Sequence, residues 1–242
     1  LRNISEIERT LVVIGSHDLT LDVLADELIP HHVFLSSSHV GSLGGLLALK
    51  SRSSHFATSH LLDMETGVYN WSYIRRYLPD LPVKLIHGVM REQGFIVPKG
   101  NPKSIRDFHD LLCDDVVFIN RQAGAGTRVL LDYHLDTLGL DPLAIRGYEV
   151  EEYTHTSVAV AVLSGVADVG MGVLAAARAL GLDFVPVAVE QYDLVIPLEY
   201  MEDEKIARLL EVMRSSRFKN RVTAMGGYGV EKTGEEVPEP SA

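Results

Sequence analysis

Short apolar runs alternate with helical patterns along most of the chain. The predicted short strands cover residues 10–16, 32–38, 55–62, 115–120 and 167–172. The predicted helices cover residues 19–29, 40–52, 104–112, 127–140, 157–165, 174–182 and 203–216. Regular alternation of strands and helices is typical of α/β proteins with largely parallel sheets. The pattern therefore predicts an α/β fold.

Two longer extended stretches, 83–98 and 184–197, interrupt this alternation. We expect each to pass between two lobes. The first lobe would contain residues 1–94 and 191–230, and the second would contain residues 95–190. Two linking strands and a ligand cleft between the lobes would allow closure about a hinge. Residues 231–242 are polar and have little apolar surface to bury, so we expect a disordered tail.

Composition narrows the possible partners. Hydrophobic residues make up 46% of the chain and charged residues 23%, as in ordinary globular domains. The formal net charge of −11 argues against direct binding to nucleic acid or to an anionic membrane surface. No apolar run reaches the roughly 18 residues that a membrane span needs, which predicts no membrane insertion. A single cysteine, Cys113, excludes a disulfide within the chain.

A glycine-containing loop at 118–135 is the most informative segment. It joins a predicted strand to a predicted helix, and Gly124 and Gly126 let the backbone approach a ligand closely. Thr127 stands where we expect the helix N-cap, and free N–H groups at a helix start favour an anion. Arg121 and Arg128 add positive charge that a bound anion would offset. The alternative is a tight turn without a ligand.

Polar residues also follow the other predicted strands. Ser16 and Asp18 follow the first strand, three serines end the second, and Ser59 and His60 follow the third. Ligands of open α/β sheets bind at the carboxyl ends of the strands, so these residues are candidates for binding. Capping of the next helix by Ser16 or Asp18, and a serine-rich turn at 36–38, are the structural alternatives. Gly44 and Gly45 inside a predicted helix indicate close packing or close ligand approach.

Catalytic and metal motifs are missing from the chain. It has no GxSxG nucleophile elbow, no HExxH zinc motif and no Walker A loop. His31, His32 and His39 have no carboxylate partner at ligand spacing. A zinc site at which His17, His60 and His155 converge is the disfavoured alternative. We therefore expect no metal site and no catalytic residue.

The segments GSHDLTLDVLA, VGSLGGLLAL, SHLLD, NRQAGAGTRVLLDYHL and GVADVGMG lie between about residues 10 and 200. Together they resemble the type II periplasmic-binding-protein superfamily. The specific likeness is to the molybdate-binding-like, LysR-substrate-binding-like domain, found alone or fused to helix–turn–helix regulators or molybdopterin-biosynthesis proteins. The resemblance implies the two-lobed fold with two crossover strands.

The resemblance also implies a set of ligand-binding residues, carried over by matched motif. They are Ser16, His17, Asp18, Ser37, Ser38, Ser59, His60, Arg121, Gly126, Thr127, Arg128, Thr154, His155 and Tyr192. The implied function is non-catalytic binding or sensing of an oxyanion such as molybdate or tungstate, with no other cofactor. The two arginines also suit carboxylate, phosphate or sulfate.

Two alternatives remain. Asp18 would favour a ligand with hydrogen-bond donors, such as a molybdopterin-related compound. An enzyme acting on a small anionic metabolite would use one of the histidines as general base. The expected partner is a regulator, a biosynthesis protein or a transporter component. The chain begins at Leu1 without a signal-peptide pattern, and we expect it to be part of a longer product. It would be cytoplasmic if fused to a regulator or a biosynthesis protein, and extracytoplasmic if a signal peptide was removed.

Overall fold

The computed structural model describes residues 4–63 and 65–240. Its strands are β1 (Thr10–Gly15), β2 (Phe34–His39), β3 (Phe56–Ser59), β4 (Val83–Val97), β5 (Phe118–Arg121), β6 (Glu151–Glu152), β7 (Val169–Val173), β8 (Asp183–Pro197) and β9 (Tyr228–Gly229). Its α-helices are α1 (Ile4–Glu8), α2 (Thr20–Leu28), α3 (Gly41–Lys50), α4 (Trp71–Tyr77), α5 (Gly126–Leu138), α6 (His155–Leu163), α7 (Leu174–Ala179), α8 (Glu204–Arg214) and α9 (Ser216–Met225).

The chain forms two compact units. Unit 1 contains Leu1–Met90, Gln191–Ala224 and Gly229–Ala242, and unit 2 contains Arg91–Glu190 and Met225–Tyr228. The long strands β4 and β8 each pass from one unit into the other. Their length agrees with the two extended stretches that the sequence predicts.

Unit 1 is built on a sheet in which β1 lies between β2 and β3 and pairs with both in parallel. Strand β3 pairs antiparallel with β8. Helix α2 follows β1 along the chain, and α3 follows β2. Leu11 of β1, Leu46 of α3 and Phe56 of β3 are fully buried. Parallel strands end at the same edge, which brings the loops after β1 and β3 together.

Unit 2 has its own set of paired strands and its own core. Strand β7 pairs in parallel with β5 and antiparallel with β4, and β6 extends the sheet beside β5. Phe95, Phe118 and Met171 are buried together with Leu131 and Leu135 of α5. Helix α5 ends at Gly139, whose positive φ of 66° suits a residue without a Cβ.

The helix predicted at 104–112 is shorter than expected. A 3₁₀ helix covers only Phe108–Leu112, and Asp107 rather than Ser104 caps it by accepting from the His109 backbone N–H at 2.8 Å. Ser104 lies outside the helix with a positive φ of 54°. Asp110 accepts from the N–H groups of Arg106 and Asp107, which fixes the start of the helix after them.

The prediction of a disordered tail at 231–242 is wrong for residues 231–240, and residues 241–242 lie outside the described residues. Backbone N–H groups of Gly234 and Val237 donate to the carbonyls of His87 and Leu85 in β4 at 2.8 Å. The buried Thr233 hydroxyl donates to the Gly88 carbonyl. Pairing with a strand holds this segment although its side chains are mostly polar, because backbone hydrogen bonds do not depend on side-chain hydrophobicity.

Candidate functional site

The edge of the unit 1 sheet gathers three predicted site residues. The Ser16 hydroxyl lies 2.8 Å from His60 Nε2, and the Tyr192 hydroxyl donates to the Ser16 carbonyl at 2.9 Å. Thr58 donates to the same carbonyl at 2.8 Å. All four residues are buried, so the loops after β1 and β3 are locked together with β8.

Asp18 and His17 occupy the same loop after β1. Asp18 Oδ1 accepts from the Thr20 backbone N–H at 2.8 Å and from the Thr20 hydroxyl at 2.5 Å, at the first residue of α2. This geometry supports the capping role that the sequence left open for Asp18. The His17 ring meets His39 edge-on, with 4.7 Å between ring centroids.

Asp193 on β8 is the centre of a second buried cluster in unit 1. Its carboxylate accepts from Asn70 Nδ2 at 2.8 Å and Gln191 Nε2 at 2.6 Å, and lies 3.1 Å from His87 Nδ1. Ser59 pairs with Asp193 across the β3–β8 ladder. The Ser59 hydroxyl is buried, and no described residue bonds to it, which leaves it available to a ligand.

A cavity of about 500 Å³ in unit 1 adjoins the Asp193 cluster, since His87 and Gln191 contribute to its lining. Its lining consists of His87, Met90, Gln191, Glu231, Lys232, Glu235, Glu236, Val237 and Pro238. None of the predicted site residues lines this cavity, and its volume alone does not identify a ligand.

Unit 2 buries two arginines. Arg91 on β4 donates from Nε to Glu190 Oε1 at 2.5 Å. Arg121, at the end of β5, donates to the carbonyls of Glu152 and Tyr153 and to the His155 ring, 3.0 Å from Nδ1. Both guanidinium groups are fully buried. Because a guanidinium only donates, the His155 nitrogen that faces it acts as acceptor.

The charges around Arg121 act on its pKa in both directions. Burial, followed by the charge of Arg91, lowers the pKa of Arg121 to about 9, while Glu190 and Glu152 act in the opposite direction. Arg91 and Arg121 carry two positive charges, and the carboxylates of the buried Glu190 and the half-buried Glu152 act on Arg121. A bound anion would offset the effect of burial on Arg121, because it would pair with the buried guanidinium group.

The start of α5 lies beside the same cluster. Gln93 Nε2 donates to the Thr127 hydroxyl at 2.9 Å and to Glu190 Oε1 at 2.7 Å. Thr127 is the second residue of α5, and Ala125 occupies the N-cap position, so the prediction of Thr127 as N-cap is wrong. The turn at Gly124, with a φ of 82°, shifts the helix start to Gly126.

The remaining unit 2 candidates make structural contacts. Arg128 bonds to Asp132 at 3.1 Å and its guanidinium lies 3.9 Å from the centre of the Tyr148 ring. Thr154 and Ser157 form a capping box at the start of α6. These contacts account for Arg128 and Thr154 without a ligand.

Comparison with known proteins places the chain in a family. Residues 25–214 match the model of the PBP superfamily domain. The chain belongs to this family.

A curated relative and two solved structures extend this result. The uncharacterized protein YvgK of Bacillus subtilis is 35% identical over 96% of this chain and 75% of its own length. A tungstate ABC transporter structure from Geobacter sulfurreducens has a TM-score of 0.64 at 13% identity, over 90% of this chain and 99% of that one. A putative phosphate transporter substrate-binding protein from Clostridium perfringens, solved with bound phosphate, has a TM-score of 0.63 at 14% identity, over 89% and 97%. These structures confirm the two-lobed α/β fold.

Several predicted residues of this PBP domain come together within their own units. Ser16, His60 and Tyr192 meet in unit 1, and Arg121, Thr127 and His155 lie in or beside the arginine cluster of unit 2. Gly126 is buried at the first residue of α5. Ser37 and Ser38 lie instead in strand β2 with exposed side chains, and Val40 rather than a serine precedes α3.

Sequence analysis missed Arg91, Gln93 and Glu190 in the unit 2 cluster. Arg91 and Gln93 stand inside a long apolar strand, at burial as complete as that of its apolar neighbours. Charged or amide side chains in the middle of such a strand were the available signal, because a buried charge is retained only with a partner. Among residues 4–63 and 65–240, no group of three or more His, Cys, Asp or Glu side chains is arranged to hold a metal ion. Over the same residues, no helix is both long and apolar enough to cross a membrane.

Proposed function

We propose that this chain is a non-catalytic binding protein for a small oxyanion, with molybdate and tungstate as the first compounds to test. The observation that carries the proposal is the buried pair Arg91 and Arg121, set against the carboxylate of Glu190 in unit 2. Burial and the charge of Arg91 lower the pKa of Arg121, although Glu190 and Glu152 act in the opposite direction. A bound anion would stabilise the charged form of the buried guanidinium groups.

The first residues of α5 support the same proposal. Gly126 and Thr127 are buried beside the arginine cluster, and Ala125 provides no side-chain cap for the helix. Uncapped N–H groups and the positive end of the helix dipole favour a negative group. The likeness to a tungstate transporter structure and to a phosphate-bound protein fits an oxyanion ligand.

The partner of this chain belongs to the same proposal. The likeness to ABC transporter proteins supports a transporter component, and a regulator is the alternative. We propose one of these, or a biosynthesis protein, as the partner of this chain. Its role would be delivery or sensing of the anion.

The test is a thermal-shift titration with molybdate, tungstate, phosphate and sulfate. A ligand that binds only the folded state stabilises it by about 2.7 kcal/mol at 100 times its Kd. We expect at least one oxyanion to raise the Tm of the wild type. Arg121→Gln should weaken that binding about a hundredfold, since a buried charged hydrogen bond to the ligand is lost.

Arg106→Gln is the matched control. Arg106 lies in the same unit with an exposed side chain, so its removal changes the net charge equally but leaves the cluster intact. Equal losses of affinity in both variants would indicate a general charge effect. Absence of any shift up to millimolar oxyanion would refute the proposed function.

A further inference from the structure

The orientation of the Gln93 side-chain amide is fixed by its partners. Gln93 is fully buried in β4, and its Nε2 donates to Glu190 Oε1 at 2.7 Å and to the Thr127 hydroxyl at 2.9 Å. A carboxylate only accepts, so the nitrogen and not the oxygen of the amide must face Glu190. Gln93 Oε1 therefore points elsewhere, and no described residue donates to it although it is shielded from solvent.

The partner of the Gln122 side-chain amide also fixes its orientation, but here the oxygen is the atom that is bound. Its Oε1 lies 3.4 Å from Arg121 Nη2, and a guanidinium only donates. The oxygen must therefore face Arg121, which leaves Nε2 as the outer atom. Gln122 is buried, and no described residue accepts a hydrogen bond from Nε2.

The arginine cluster thus contains one buried acceptor and one buried donor without partners among the described residues. Gln93 contacts Glu190, the partner of Arg91, and Gln122 follows Arg121 directly. Buried polar groups are almost always hydrogen-bonded in native proteins, because an unpaired one keeps its full desolvation cost. Two such groups beside the two buried guanidinium groups indicate a ligand that satisfies both.

We infer that the ligand of this cluster carries an O–H or N–H donor next to its anionic oxygens. The anionic oxygens would accept from the guanidinium groups and from Gln122 Nε2, and the donor would bond to Gln93 Oε1. The inference rests on the proposed function, and it selects among the anions that the proposed function allows. Molybdate, tungstate and sulfate carry no proton at neutral pH, whereas hydrogen phosphate and α-hydroxy acids do.

The structure thus favours hydrogen phosphate, or an organic acid with an adjacent hydroxyl or amine, over molybdate and tungstate. An acceptor in a closed site discriminates strongly, because a ligand without a donor leaves the acceptor unpaired and sets two oxygens against each other.

The first experiment compares ligands of matched shape and charge on the wild type by isothermal titration calorimetry, at mildly alkaline pH where hydrogen phosphate is a dianion. Hydrogen phosphate is compared with sulfate, molybdate and tungstate, and lactate with propionate. We expect the donor-bearing member of at least one comparison to bind about a hundredfold more tightly. The inorganic comparison tests hydrogen phosphate as the ligand, and the comparison of lactate with propionate tests an organic acid.

The second experiment uses Gln93→Met and Gln122→Met, two substitutions of the same kind in the same cluster. Gln93→Met should remove the preference for the donor-bearing ligand, and the phosphate-to-sulfate affinity ratio should fall about tenfold or more toward one. Gln122→Met should weaken both anions alike and leave the ratio unchanged. Urea unfolding of each variant verifies that it is folded.

The outcomes separate this inference from the proposed function. Tighter binding of molybdate or tungstate than of any donor-bearing ligand, or a ratio that Gln93→Met does not change, would overturn the inference and leave oxyanion binding intact. Binding of none of these anions by the folded wild type would overturn both. If Gln93→Met fails to fold, the wild-type ligand comparison decides the question alone.

Discussion

The ion pairing of Arg91 and the pKa of Arg121 depend on residues that are distant in the chain. Arg121 stands at the end of a predicted strand and beside a glycine loop, where the sequence already marks it as a candidate. Arg91 lies in the middle of β4, and its partner Glu190 is 99 residues further along the chain. Burial and, after it, the charge of Arg91 lower the pKa of Arg121 to about 9, so only the fold reveals this pKa.

This pKa predicts how anion binding depends on pH. An anion binds the charged guanidinium and raises the pKa of Arg121, so affinity should be constant below about pH 9 and fall as pH rises through that value. The stability of the unliganded protein depends on pH in the opposite direction. Because its folded-state pKa is depressed, the Arg121 contribution to stability becomes more favourable above about pH 9.

Calorimetric affinities of the wild type between about pH 7 and about pH 10 check the prediction. The residual affinity of Arg121→Gln should show no decline over the same range. A wild-type affinity that stays constant to the upper end would contradict the lowered pKa.

At the scale of elements, the contact between α3 and β1 explains a glycine that sequence analysis left with two interpretations. A Cβ on Gly45 would lie 2.7 Å from the Ile14 carbonyl oxygen and 2.8 Å from the Gly15 Cα. Close packing of helix on strand therefore accounts for Gly45. A Cβ on Gly44 would meet only the side chain of Val40, which is 44% exposed and free to move.

Gly45→Ala should therefore lower the free energy of unfolding by about 1–3 kcal/mol, since backbone atoms must move to admit the methyl group. Gly44→Ala is the control in the same helix. It should be neutral or stabilising by up to about 1 kcal/mol, because alanine has the higher helix propensity. Urea denaturation measures both values, and equal destabilisation by the two variants would contradict the packing explanation.

At the scale of the whole molecule, the last part of the chain completes unit 1. Residues 230–240 supply backbone hydrogen bonds to β4 and place Thr233 under the surface, and Arg214 of α8 donates to the Gly234 carbonyl. A polar composition indicated disorder, but the unpaired groups of β4 provide a partner for the segment.

Removing residues 230–242 should lower the Tm of the protein and promote its self-association. The backbone groups of Leu85 and His87 would lose their partners, and an exposed strand edge pairs readily with other chains. Removal of only residues 241–242 is the control and should change neither property. Differential scanning calorimetry and light scattering measure the two effects, and an unchanged Tm in the longer truncation would contradict the role assigned to this segment.

The net charge of the chain does not predict the charge of a local cluster. A formal charge of −11 gives no hint that the chain buries two cations together. Composition correctly describes the surface, where most charges lie, but a binding cluster is a local exception that averages cannot detect.

The sequence by itself determined the α/β fold, the two long strands and most helix positions, because hydrophobic period, glycines and prolines act over a few neighbouring residues. It also marked Ser16, His60, Arg121 and Thr127 as polar residues at or after strand ends, and the family resemblance added His155 and Tyr192. The tertiary structure alone decided that Arg91, Gln93 and Glu190 share a cluster with Arg121, that Ser37 and Ser38 face solvent, and that the C-terminal segment pairs with β4. These outcomes depend on contacts between residues far apart in the chain, and no local pattern encodes which distant strands become neighbours.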